Sequence, residues 1–72
     1  MKTIDELADQ LLDGGFFVEE AVELLEKSMI TAALLRTHGN QSGASKILGI
    51  HRNTLSRKVD EYKLDHVGRR RS

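Results

Sequence analysis

The stretch GNQSGASKILGIHRNTLSRKVDEY, residues 39–62, decides the fold of this chain. It reads as two short helices broken by a tight turn. Asn40 is a good N-cap for the first. Ala44, Ile47 and Leu48 follow at i, i+3 and i+4 and make one apolar face. Gly49 ends that helix, because glycine takes the left-handed conformation without steric cost. Ile50 is an apolar plug just past the turn. In the second helix Leu55, Val59 and Tyr62 recur at i, i+4 and i+7. The outer face carries Asn53, Ser56, Arg57 and Asp60, with Arg52 at its start. Cap, glycine and apolar spacing agree on a helix-turn-helix; the competing reading is an ordinary helical hairpin that happens to be basic.

In a helix-turn-helix the second helix lies in the major groove of double-stranded DNA. Arg52, at its N-terminal end, is the first candidate for reading a base, since its fork matches guanine O6 and N7. Asn53 and Arg57 point outward on the wheel, and His51 stands just ahead of the helix; these three complete the base-reading set.

At the same residues the chain resembles the Fis family, and equally the DNA-binding domains that end NtrC-type enhancer-binding activators. The resemblance rests on Gly39-Asn40-Gln41, Gly49-Ile50, Arg52, Thr54-Leu55, Arg57-Lys58 and Tyr62, and covers roughly the last half of the chain. Ser45 stands where the family usually has Ala, a change that should still pack. His51 replaces the usual Asn or Ser, which predicts a weaker N-cap. The resemblance implies contacts to the DNA backbone from Asn40, Gln41, Ser42, Thr54, Ser56, Arg57 and Lys58, with Ser56 weaker than the family's Arg. It also implies that two N-terminal helices from each of two subunits interlock, setting both recognition helices on one side. NtrC-type activators remodel polymerase with an ATPase domain. This chain has no Gly-x4-Gly-Lys loop and no room for such a domain, so alone it is expected only to bind.

The remaining composition fits an all-α protein. The 72 residues include no proline and no cysteine, and helix formers dominate. Disulfides and Cys/His metal sites are excluded. His38, His51 and His66 are too scattered to form a site, so no metal or cofactor is expected. No apolar run approaches the ~20 residues of a membrane span, and no basic-then-apolar leader opens the chain. A cytoplasmic, nucleoid-associated protein is expected, with neither membrane nor small-molecule substrate as partner. The formal net charge of zero conceals a split. Residues 1–30 carry two basic against eight acidic side chains, and residues 31–72 nine against three. A polyanion would meet only the second half.

Upstream, Thr3-Ile4-Asp5-Glu6 is a capping box. Ile4, Leu7, Ala8, Leu11 and Leu12 give one helical stripe that Asp13-Gly14-Gly15 ends. Phe16 and Phe17 anchor the returning chain, facing either their own core or a second subunit. The next helix should run from Phe17 or Val18 to Thr37, with Gly39 as its stop. Glu19 and Glu20 suit its N-terminal end, Arg36 and His38 its C-terminal end. From Met29 to Leu35 it is apolar nearly all round, so it must be covered on several sides. The helix-turn-helix covers one; the first helix and a partner subunit are expected to cover the others. A lone core in so short a chain rarely gives more than ~3–5 kcal/mol, which also argues for a homodimer. Leu11, Phe16, Phe17, Val22, Leu25, Met29 and Ala32 are the candidate interface.

The expected organisation is one domain of four helices: dimerisation helices in 1–38, a helix-turn-helix in 39–64 and a basic tail in 65–72. Past Tyr62, Leu64 and Val67 pack briefly, and Gly68 to Ser72 either touch phosphates or are solvated. No Ser, His and Asp set at a meaningful spacing supports catalysis, so an enzyme is not expected. Met1 directly ahead of a capping box favours a complete small protein over an excised domain. Three readings stand: a dimeric DNA-binding regulator or architectural protein, the DNA-binding domain of an activator working with RNA polymerase or other transcription proteins, and an interaction module whose acidic helices bind a protein.

Overall fold

The computed structural model describes residues 3–69, which fold into α1 (Ile4–Asp13), α2 (Val18–Arg36), α3 (Gln41–Leu48) and α4 (Arg52–Tyr62). The all-α, four-helix architecture is the one expected. Each start has a local cause. Thr3 closes a capping box with Glu6, accepting from the Glu6 N–H at 3.2 Å while its own N–H donates to the Glu6 carboxylate at 3.3 Å. Phe17 has no capping oxygen, but its N–H donates to Glu20 at 3.1 Å. Asn40 Oδ1 accepts from the Gly43 N–H at 3.1 Å.

All four helices end the same way. A residue in the left-handed region follows each, and the next N–H reaches back five residues to an otherwise unpaired carbonyl. These closing bonds run from Phe16 to Leu11, Gly39 to Leu34, Ile50 to Ser45 and Leu64 to Val59, at 2.8–3.1 Å. This is the Schellman arrangement. Gly15 and Gly49 occupy the left-handed position in α1 and α3. In α2 and α4 it falls to His38 (φ 54) and Lys63 (φ 57). The stop of α2 is therefore not Gly39 alone: His38 turns first and Gly39 follows it, also at positive φ.

The core lies between α2 and the helix-turn-helix. Ile30, Ala33 and Leu34 of α2 meet Ala44 of α3, Leu55 and Val59 of α4, and Leu64 beyond it. Leu48, Ile50, Tyr62 and Val67 close its rim. Ser45 is buried as well; its hydroxyl donates to the Ser42 carbonyl at 2.8 Å, so the polar group is satisfied.

One expectation about coverage fails. The first helix does not cover α2: α1 buries none of its residues, and Ile4 and Leu12 stand 84% and 70% exposed. Its stripe has the right spacing but little among the described residues to pack on. Beyond α4 the chain continues the packing, as the apolar residues there suggest. Leu64 belongs to the core, Val67 packs on it, and Gly68 sits hard against the α2–α3 corner. Arg70, Arg71 and Ser72 lie outside the described residues.

Candidate nucleic-acid interface

Helix α4 begins on an unusual cap. His51 Nδ1 accepts from the Asn53 N–H at 3.1 Å. That bond requires a lone pair on Nδ1, so the ring proton sits on Nε2. The cap position is thus filled, with a ring nitrogen in place of the usual hydroxyl or amide oxygen. Sequence reasoning missed this because capping preference scales rank side-chain oxygens.

A polar tie then fixes each flank of α4. On one side Ser56 Oγ donates to Gln41 Oε1 at 2.7 Å, joining α4 to the first turn of α3. On the other, Lys58 Nζ lies 2.8 Å from Glu26 Oε1, and the Tyr62 hydroxyl donates to the same oxygen at 2.6 Å, joining α4 to α2. Hydrogen bonds from Lys58 and then Tyr62 hold the Glu26 carboxyl below the usual carboxylate range. The hydrogen bond to Glu26 is also the chief reason the Tyr62 phenol is pushed up to about 12, with partial burial and the Glu23 and Glu61 charges acting the same way.

Between the ties lies the outer face. Arg52, Asn53 and Arg57 are exposed, and no side-chain bond restrains them among the described residues. Asp60 and Glu61 occupy the last turns and are exposed too. The cationic part of the face is therefore the N-terminal half of α4, beside His51. No acidic residue occurs from Arg36 to Val59. Geometry and charge together make a convex, positive helix face suited to a groove lined with phosphate and base edges.

The other candidates divide. Asn40 caps α3, while Ser42 is exposed and Thr54 half-buried. Gln41 and Ser56 face each other across the helix pair. Lys58, expected on the groove wall, has its charge engaged by Glu26. Glu26 and Tyr62 were not candidates from sequence. Glu26 reads as one more carboxylate on an acidic helix, and its partners lie 32 and 36 residues away.

The sequence matches the family described as bacterial regulatory protein, Fis family, over residues 21–62. The chain belongs to the Fis family. Its relatives include the DNA-binding transcriptional regulator NtrC of Escherichia coli K12, 38% identical over 60 residues, which span 81% of this chain and 13% of NtrC. NtrC of Rhizobium meliloti is 42% identical over 53 residues, 74% of this chain and 11% of the relative. A putative Fis-like DNA-binding protein of Xylella fastidiosa is 45% identical over 40 residues, 56% of this chain and 44% of the relative. The chain thus spans under a seventh of the NtrC relatives and under half of the Fis-like one. No solved structure matches it. The matched region takes in α3, α4 and most of α2, the elements that build and brace the outer face of α4. Among the described residues no helix is long and apolar enough to cross a membrane, and no group of His, Asp and Glu is placed to hold a metal ion.

Proposed function

We propose that this Fis-family chain binds double-stranded DNA as a homodimer and acts as a transcription regulator or nucleoid-architectural protein in the bacterial cytoplasm. The observation that carries this reading is the outer face of α4, where Arg52, Asn53 and Arg57 stand free between two tied flanks. Arg52, Asn53, Arg57 and His51 read base edges; His51 offers its Nε2–H, a donor suited to guanine N7 or O6 or to phosphate. Asn40, Ser42 and Thr54 hold the backbone, while Gln41 and Ser56 fix the angle between α3 and α4. Asp60 and Glu61 repel phosphate, so only the first turns of α4 enter the groove.

Dimerisation through residues 1–38 is supported by the apolar surface left open. Val22, Leu25 and Met29 are each about half exposed on α2 and line a groove of about 270 Å³ with Leu48 and Ile50. Phe17 is 77% exposed. A second copy bringing the same surface would cover both.

The test compares Arg52→Ala with the parent chain on a preferred site and on scrambled DNA. The substitution should cost ~1–3 kcal/mol on the preferred site and relax one base position per half-site. Equal weakening on both DNAs would make Arg52 a phosphate clamp. A dimer neutralising about six to eight phosphates should show a slope of about −5 to −7 in log K against log salt. A slope near zero would remove DNA and favour a protein-interaction module. A second reading, the DNA-anchoring part of an NtrC-type activator, is favoured by the NtrC matches covering 81% of this chain. Anomalous mobility of circularly permuted DNA fragments would mark bending and favour the architectural role.

A further inference from the structure

Glu26 grips the recognition helix from α2. Its Oε1 accepts from Lys58 Nζ at 2.8 Å and from the Tyr62 hydroxyl at 2.6 Å. Lys58 and Tyr62 are four residues apart, so one carboxylate oxygen holds two successive turns of α4. The apolar contacts beside it, Leu55 and Val59 on Ile30 and Leu34, resist separation of the helices but have no preferred direction. The tie is directional, because a hydrogen bond fails within a few tenths of an ångström. Arg52 lies about 15 Å along the helix axis from Tyr62. A tilt of about 4° at the tie therefore moves the first turn of α4 by about 1 Å, more than a bond to a base edge tolerates.

The place of Glu26 gives the tie a second property. Glu26 and Lys58 stand in the wall of the groove that Val22, Leu25 and Met29 help to line. The Lys58 and Glu26 side chains are 24% and 34% exposed, so water reaches the pair in a single chain. A second copy seated on the open side chains of that wall would take the water away. Opening the tie in water leaves two hydrated charges. Opening it under a covering chain strands a carboxylate without a partner, which costs far more. The tie is loose while the groove is open and firm once it is covered.

We propose that Glu26 is a positioning residue for base reading, through which the open apolar face of α2 acts on the recognition helix. Covering the groove secures the tie, and the tie sets where Arg52, Asn53 and Arg57 meet the bases. The inference rests on the homodimeric DNA-binding reading above. It gives the second copy a use besides supplying a second half-site: each subunit discriminates better when its own groove is covered.

The experiment measures affinity for a half-site duplex selected from random sequence and for a scrambled duplex of equal length. The ratio of the two is the discrimination of one subunit. Sedimentation equilibrium gives the oligomeric state of each protein, and circular dichroism its helicity. Glu26→Gln should lower the ratio about three- to tenfold, with dimer and helicity retained. Lys58→Ala opens the same tie from α4 and should lower the ratio as far. Leu25→Asn puts an uncharged polar group on the open face. It should give a helical monomer with a lowered ratio, and Leu25→Asn/Glu26→Gln should fall no lower than Glu26→Gln alone. An unchanged ratio in Glu26→Gln leaves Glu26 a brace of the fold and overturns the proposal. So does an unchanged ratio with a shallower salt slope in Lys58→Ala, which would make Lys58 a phosphate contact. Additive losses in the double variant, or a Leu25→Asn chain that still dimerises, overturn the link to the α2 face. A parent chain that is monomeric, or that binds DNA without salt dependence, overturns the reading beneath the proposal. That failure shows in the parent alone, before any variant is compared.

Discussion

Residues 4–25 and residues 30–64 draw on the same side chains and end their helices with the same bonds, yet they differ in what covers them. Leu34 and Leu55 are 1% and 0% exposed because α2, α3 and α4 enclose them from three directions. Leu12 and Leu25, with the same side chain and helical spacing, stand 70% and 54% exposed. Amphipathic patterning therefore states that a face will be buried, not which chain will bury it. The second region holds its core within one chain. The first has its secondary structure specified locally, through the capping box at Thr3 and the glycines after Asp13, and leaves its apolar stripe largely exposed.

Substitution on each side should separate the two regions. Leu55→Ala removes a fully buried side chain from the self-covered core and should cost ~2–5 kcal/mol. That approaches the whole net stability of a domain this size, ~3–5 kcal/mol. The variant should be largely unfolded by circular dichroism at every protein concentration. Leu25→Asp puts a charge on the open face of α2. In a single chain that carboxylate stays hydrated; in the dimer it would be buried without a partner, which costs several kcal/mol. Sedimentation equilibrium at micromolar concentration should therefore show the parent as a dimer and Leu25→Asp as a monomer whose α3 and α4 remain helical. A monomeric parent of full helicity would show that the open face needs no cover, and the comparison would lose its basis.

Much of the second region was legible because its signals are local. Asn40 as a cap, Gly49 in the left-handed turn, and Leu55 and Val59 at one-turn spacing each depend on a few neighbouring residues, and each is where the spacing put it. What was not legible depends on distant partners. That Glu26 receives both Lys58 and Tyr62, and that Gly68 seats on Leu34 and Gly39, follow from how α2, α4 and residues 64–68 converge. One miss was local. The left-handed positions after α2 and α4 hold His38 and Lys63, and residue preference alone points to Gly39 as the stop of α2.

Lys63 gives the comparison a smaller and sharper test. A residue with a Cβ in the left-handed region costs ~1–2 kcal/mol, and glycine recovers that minus its greater freedom in the unfolded chain. Lys63→Gly should raise stability by about 0.5–1 kcal/mol, or roughly 3–6 °C in Tm for a domain this small. The same change at His38 should act in the same direction. With residues 64–68 seated on the core and the end of α2, the gain should appear with DNA affinity unchanged. Lower affinity alongside higher stability would mean that the Lys63 charge itself meets the phosphates.

The smallest expected effect on stability comes from the one described salt bridge, which ties the open half of α2 to the recognition helix. Glu26 is held below the ordinary carboxylate range by hydrogen bonds from Lys58 and Tyr62. Its contribution is present at neutral pH and is lost as pH falls through that lowered value. Tyr62 is raised from 10.0 to about 12, so its contribution is complete below pH 10 and is lost as pH rises toward 12. The group is partly exposed, and screening keeps the stabilisation modest at neutral pH. The titration is the better readout. Phenolate absorbance should show the sole tyrosine ionising near pH 12 in the parent chain and back toward 10 in Glu26→Gln. With Lys58 engaged by Glu26, Lys58→Ala should leave the salt slope of DNA binding nearly unchanged. Glu26→Gln frees that cation and should steepen the slope by up to about one per subunit. Ordinary ionisation of Tyr62 in the parent, together with a shallower slope in Lys58→Ala, would break the tie. Lys58 would then belong to the groove wall, and α4 would be held to α2 by Leu55 and Val59 packing on Ile30 and Leu34 alone.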